Sequence, residues 1–174
     1  MRGYRKRPGT QGFSVPLVGA SLFFIISLFL FASYKNSAYQ QAKKEIYSLY
    51  TANRAFDLDE VYQDGLTAIY AKEYGKTATE AGCEALEQTG LPYVLLLSQF
   101  SAPVERVYVT NCQLSETGRE KKARTYDYTV SVRFCLEKGN EVLAPEKTMD
   151  FHGTEVMKKK GWFSWLLDGV KVGE

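Results

Sequence analysis

Histidine and cysteine are scarce in this chain, which has a single histidine, His152, and three cysteines, Cys83, Cys112 and Cys135. One histidine cannot form a histidine metal cluster, and the cysteines are too widely spaced for a C-x-x-C pair. The chain also lacks H-E-x-x-H, G-x-S-x-G and a phosphate-binding glycine loop. We therefore expect no metal, no cofactor and no enzymatic activity. The cysteines are read as small buried side chains.

A strong net charge is lacking as well. The formal charge is only +2, and four basic residues precede the first apolar segment: Arg2, Arg5, Lys6 and Arg7. The remaining 18 basic and 20 acidic side chains make the rest of the chain slightly acidic. This balance argues against nucleic acid as a partner.

Charged residues are missing altogether from positions 8–34, and positions 15–34 are almost entirely apolar. About 20 helical residues at 1.5 Å each match a hydrocarbon core of about 30 Å. We predict a basic cytoplasmic tail over 1–12 and a transmembrane helix over 13–34. Because basic residues flank only its N-terminal side, the positive-inside rule places everything after about Lys35 outside the cytoplasm. The expected location is the cell membrane, with a single pass and the bilayer as a partner.

A cleaved secretory signal peptide is the alternative to an anchor. Its cleavage site requires small residues spaced A-x-A. Ala32 is preceded at that spacing by Leu30, and Ala38 by Asn36. The sequence therefore favours an anchor that is retained, or one that is cut only at its cytoplasmic edge.

The start of the apolar segment, residues 6–18 (KRPGTQGFSVPLV), resembles the N-terminus of type IV prepilins and pseudopilins. The resemblance implies cleavage after Gly12, methylation of the new N-terminal Phe13, and a helix held in the membrane until a filament assembles. The family usually has glutamate at the fifth position after cleavage, where this chain has Leu17, preceded by Pro16. A chance match within a signal anchor is the alternative.

Helix-forming residues dominate after the apolar segment and predict a helical extension over 35–56, with Lys43, Lys44 and Glu45 off its apolar stripe. A second helix is expected to begin at Asp57 and end near Gly75. A third is expected to be capped by Thr77 or Thr79 and to stop at residues 90–92.

Strict alternation over 125–136 is typical of a strand with one buried face. The apolar face comprises Tyr126, Tyr128, Val130, Val132, Phe134 and Leu136. Further strands are predicted over 106–114, over 147–157 with a bulge at Gly153, and from Trp162 onward. Helices followed by successive strands predict an α+β domain over 57–174, with an antiparallel sheet of about four strands.

Two known folds share this order of elements. Pilin heads place antiparallel strands over the outer half of a long helix. The cone-shaped fold of nuclear transport factor 2 also begins with helices, and it resembles the domain of small inner-membrane assembly proteins of conjugative secretion systems. In the cone-shaped fold, Tyr126, Tyr128 and Phe151 are expected to line a pocket.

Two basic clusters fall near predicted turns: Arg119, Lys121, Lys122 and Arg124, then Lys158, Lys159 and Lys160. Solvated turns are the plainer interpretation, and contact with anionic wall polymer or lipid headgroups is the other. With Trp162 and Trp165, the second cluster is our predicted partner contact.

We hypothesise a non-enzymatic, membrane-anchored component of a cell-envelope assembly, either pilin-like or a secretion-platform subunit. The alternative is an anchored cone-shaped domain that binds a small ligand or a partner protein.

Overall fold

The computed structural model describes residues 15–53, 58–98, 100, 102–136, 147–162 and 164–173. Contacts divide the chain into two compact units, Met1–Tyr34 and Lys35–Glu174. The division falls between Tyr34 and Lys35. The predicted processing residues, Gly12 and Phe13, and the basic tail lie outside the described residues.

The first unit contains helix α1, Val15–Lys35. Large apolar side chains are exposed along it: Leu22, Phe23, Phe24, Ile25, Ile26, Leu28, Phe29, Leu30 and Phe31. Among the residues that the structure describes, no single helix is long and apolar enough to cross a bilayer, whereas Ala20–Lys35 and Ala38–Leu49 together meet both requirements.

The second unit begins with helix α2, Ala38–Leu49, whose N-cap Ser37 accepts a hydrogen bond from the backbone N–H of Gln40 at 3.3 Å. The helix buries a stripe against the sheet: Ala38, Ala42, Glu45, Ile46 and Leu49. The predicted extension over 35–56 is therefore shorter and belongs to the folded unit. The prediction that Glu45 lies off the apolar stripe is wrong. Glu45 is seven positions, or about two helical turns, after Ala38, so it lies on the same buried side of the helix.

Three further helices follow: α3 (Leu58–Tyr74), which is broken at Gly65, α4 (Glu80–Thr89) and the short α5 (Tyr93–Leu96). Thr79 caps α4 by accepting from the N–H of Gly82 at 3.1 Å, and Gly90 ends it in the left-handed conformation at φ 71°. The predicted cap and stop of this helix are confirmed. Asp57 lies outside the described residues.

The strands form one antiparallel sheet in the order β1 (Ala52–Asn53), β2 (Val104–Arg119), β3 (Ala123–Leu136), β4 (Lys147–Lys159) and β5 (Trp165–Val172). The predicted α+β class with about four strands is confirmed by the four long strands. On β3 all six predicted apolar positions are buried.

Strand boundaries differ from the prediction at three places. β2 continues to Arg119, so its turn is short and Cys112 lies opposite Val130. The bulge predicted at Gly153 is not found, since β4 pairs with β3 without a register shift, and the irregularity opposite Val156 and Met157 lies on β5, where Asp168 is the extra residue. Trp162 precedes β5 instead of belonging to it. Polar residues at strand ends carry no alternation signal, which explains the first difference.

Aromatic rings fill the space between α2 and the sheet. The Tyr50 and Tyr128 hydroxyls are hydrogen-bonded at 2.9 Å, and Phe151 packs on Tyr50 with ring centroids 5.4 Å apart. Tyr126 is also buried. The three residues expected to line a pocket therefore pack in the core, and this expectation is wrong.

The connection between α3 and α4 is bonded to the edge of β5. The backbone N–H of Thr79 donates to the Leu167 carbonyl and the N–H of Leu167 donates to the Thr77 carbonyl, both at 2.8 Å. Gly82 comes so close that a Cβ there would lie 2.2 Å from the Leu167 oxygen. Glycine is required at this point, and α4 is fixed directly against β5.

Candidate functional site

The structure brings the two basic clusters together at one end of the sheet. Ala123 pairs with Lys158, and the backbone N–H of Lys159 donates to the Lys122 carbonyl at 2.8 Å. We call this region the basic tip, and it consists of Arg119, Lys121, Lys122, Arg124, Lys158, Lys159, Lys160 and Trp162. All of these side chains are exposed except Arg124, which is half-buried.

Acidic neighbours balance only part of the basic tip. Glu116 contacts Arg119 at 2.6 Å and Arg124 at 3.8 Å, while Asp168 contacts Lys158 at 3.4 Å. Glu120 is the third acidic residue of these strand ends. Seven basic against three acidic side chains leave a local excess of four positive charges. An anion is the partner that this excess attracts.

The two tryptophans of the predicted contact surface have different environments. Trp162 is 88% exposed in the turn before β5. Trp165 is half-buried, with the Arg124 guanidinium 5.4 Å and the Lys159 ammonium 6.0 Å from its ring centroid. Trp165 therefore packs against basic side chains of the tip, whereas the Trp162 side chain is accessible to a partner.

Two carboxylates, which the sequence did not predict, are buried between α2 and the sheet. Glu155 on β4 has no exposed surface, and neither of its carboxylate oxygens has a hydrogen-bond partner among the residues that the structure describes. Glu45 is 5% exposed. Burial raises the pKa of Glu155 well above its usual value, and the Glu45 carboxylate adds to the shift. Burial also raises the pKa of Glu45, against the opposing effects of Lys44 and Thr77.

This carboxylate pair belongs to the core, because Glu155 is fully buried and Glu45 almost so. The strand period does contain a signal for it. Glu155 shares parity with Phe151 and Met157, both of which point toward the helices. A charged residue is normally expected on the solvent-facing side of a strand, so the position of Glu155 on the apolar side was not predicted.

Other titratable residues considered from the sequence lie at the surface. Asp127 is exposed and accepts from the Thr154 hydroxyl at 3.0 Å, and Asp150 is also exposed. His152 is exposed with its Nδ1 3.0 Å from the Thr129 hydroxyl oxygen. All three cysteines are free thiols, and burial raises the pKa of Cys112 to about 11.

A cleft of about 360 Å³ lies beside β1, between α3, α5 and β2. Among its lining residues, Tyr93 donates to the Glu73 carboxylate at 2.5 Å, and the Arg106 guanidinium lies 5.7 Å from the Tyr108 ring centroid. Within the described ranges, no group of three or more histidine, cysteine or acidic residues is placed to hold a metal ion. The cleft therefore offers one carboxylate and one guanidinium to a small polar molecule.

The chain was compared with family models, curated proteins and solved structures, and none of them matches it.

Proposed function

We propose that the chain is a non-enzymatic, membrane-anchored component of a cell-envelope assembly, with unit Lys35–Glu174 outside the cytoplasm. One observation carries the proposal: residues 8–34 contain no charge and follow a basic tail. That uncharged run is longer than the roughly 20 helical residues that cross a hydrocarbon core of about 30 Å. The exposed phenylalanine, leucine and isoleucine side chains of helix α1 suit contact with lipid.

The pilin-like and secretion-platform forms of this proposal share the anchor and differ in processing. The G-F-S-V sequence at 12–15 supports processing after Gly12, and the packing of α2 under a strand meander is what the resemblance to pilins implies. Leu17, in place of the family's glutamate, favours a subunit outside the main filament. The intact mass of the protein from its native host separates the two forms, because a methylated N-terminal Phe13 supports the pilin-like form and an intact Met1 removes it.

Membrane anchoring is tested with two variants that each add charge at exposed apolar positions. Phe24→Lys/Ile25→Lys changes the centre of α1, where each lysine costs about 2.5–3.5 kcal/mol in lipid. The matched control is Leu97→Lys, since Leu97 is 68% exposed in the second unit and Ile25 is 62% exposed. We expect wild type and the control to stay in carbonate-washed membranes and the double variant to be released. Retention of the double variant contradicts the anchor.

A second candidate function is ligand binding in the cleft beside β1. Glu73 and Arg106 both line the cleft, which supports this function because a small zwitterionic molecule carries both complementary charges. Thermal-shift measurements with amino acids and short peptides test it. A ligand whose stabilisation disappears in Arg106→Gln supports this function, and no stabilisation by any of them contradicts it.

A further inference from the structure

The chain enters the second unit at the same end of the sheet as the basic tip. Near the start of α2, the Tyr39 ring packs against Tyr126, with centroids 6.1 Å apart. Tyr126 is two positions from Arg124 of the basic tip. After α2, Asn53 pairs with Arg106, which lies opposite Cys135 toward the far end of β3. Helix α2 therefore runs away from the basic tip.

The connection between α1 and the second unit is short. Helix α1 ends at Lys35 and α2 begins at Ala38, so only two residues separate them. The three steps from the Cα atom of Lys35 to that of Ala38 reach at most about 11 Å. If α1 spans the bilayer as proposed above, the start of α2 is within this distance of the end of α1, and the basic tip is at that same end of the second unit.

We propose that the basic tip binds the anionic headgroups of the membrane that holds α1. The local excess of four positive charges matches a negatively charged lipid surface, which attracts each nearby lysine by about 1 kcal/mol. Trp162 adds a side chain whose apolar ring and N–H suit the headgroup layer. The inference rests on the proposed anchor and names a second contact that holds the unit against the bilayer.

The reporter for this contact is Trp162 in the full-length chain carrying Trp165→Phe, which leaves one tryptophan. The protein is reconstituted into vesicles of phosphatidylcholine alone, or of equal parts phosphatidylcholine and phosphatidylglycerol. On the anionic vesicles we expect the emission of Trp162 to move to shorter wavelength and its quenching by acrylamide to fall. High salt is expected to reverse both changes, because it screens exposed charges.

Two single substitutions test the role of charge. Lys160→Gln removes an exposed lysine of the basic tip, and Lys171→Gln removes an exposed lysine near the other end of β5. Lys160→Gln is expected to lower the ratio of docked to undocked protein roughly fivefold, and Lys171→Gln to leave it unchanged. Equal losses in the two variants contradict a contact through the basic tip.

The outcomes separate this inference from the proposed anchor. If the chain inserts into both kinds of vesicle and Trp162 is quenched equally in both, the headgroup contact is overturned and the anchor stands. If the chain fails to insert into phosphatidylcholine, the anchor fails, and binding to anionic vesicles from solution then supports the basic tip alone. The inference is also overturned if an acidic protein protects Trp162 from acrylamide while phosphatidylglycerol changes neither its quenching nor its emission.

Discussion

Strand β4 carries charged side chains in two different environments, one buried and one exposed. Glu155 is enclosed in the core beside Glu45, with both carboxylate oxygens unpaired, whereas Lys158 only three positions later belongs to the exposed basic tip. Burial turns the first charge into a cost in folding free energy, and exposure leaves the second available for binding. Substitutions in the core should therefore change stability, and substitutions at the basic tip should change association.

The largest difference between the two regions is expected from Ile46→Ala. Ile46 is completely buried under the sheet, so the substitution removes apolar contacts and leaves a cavity. We expect the free energy of unfolding to fall by about 2–5 kcal/mol. Lys44→Ala, on the exposed side of the same helix, is the control and should cost less than about 0.5 kcal/mol. Denaturant titration of both variants measures the difference, and similar midpoints contradict the packing of α2 described above.

Glycine substitutions sharpen the comparison on the sheet itself. A Cβ at Gly153 would lie 2.2 Å from the Lys171 carbonyl oxygen and 2.3 Å from the Tyr128 hydroxyl, while a Cβ at Gly161 in the basic tip turn meets nothing within 4 Å. Overpacking of this kind costs about 1–3 kcal/mol. Gly153→Ala should therefore lower the melting temperature clearly, and Gly161→Ala should not. Equal melting temperatures would show that β5 is further from β4 than described.

The buried carboxylate predicts a pH dependence of stability. In the unfolded chain Glu155 has a pKa of about 4.3, and in the folded chain its pKa is well above that value. Between the two values the folded chain binds more protons, so stability is fully present below about pH 4.3 and falls as pH rises through the folded pKa. The pKa of Glu45 is also raised, so this residue likewise makes stability fall as pH rises.

Glu155→Leu should weaken this dependence, leaving the part that comes from Glu45, and raise the free energy of unfolding at pH 8 by about 1–3 kcal/mol, because it replaces an unsatisfied buried group with an apolar one. Glu105→Leu, at an exposed position on β2, is the matched control and should leave the pH profile unchanged. Denaturant titrations between pH 4 and pH 9 provide the profile. A wild-type protein whose stability increases across this range is inconsistent with the described burial.

The smallest effect on stability is expected at the basic tip. Lys121→Glu changes an exposed side chain in the turn between β2 and β3. Its free energy of unfolding should stay within about 0.5 kcal/mol of wild type, although docking of the basic tip on anionic vesicles should weaken. Calorimetry and the emission of Trp162 in the Trp165→Phe background separate the two quantities. A large loss of stability would mean that Lys121 has a structural role.

Local chemistry explains what the sequence predicted well. Thr79 and Gly90 mark the ends of α4 through their own side-chain and backbone preferences, and the alternation on β3 needs only neighbouring residues. Glu45 and Glu155 were not predicted because their charge was given more weight than their position on apolar stripes. The burial of these two side chains results from tertiary packing between α2 and the sheet.

The basic tip required information that only the fold contains. Its two clusters were both visible in the sequence, but their proximity depends on the register of Ala123 with Lys158 across β3 and β4. That register pairs residues separated by more than thirty positions, and no local pattern determines such a pairing. The different environments of Trp162 and Trp165 depend on where β5 begins, which strand parity alone did not predict.

The bonds between Thr79 and β5 have a consequence for the order of folding during synthesis. The Thr79 hydroxyl donates to Asp168 at 2.6 Å across 89 positions, in addition to the backbone bonds with Leu167. Helix α4 leaves the ribosome long before β5 and has no docking strand until residues 165–172 have emerged. A nascent chain stopped before Trp165 should therefore expose α4 to proteases, and protection should appear only once β5 has been made.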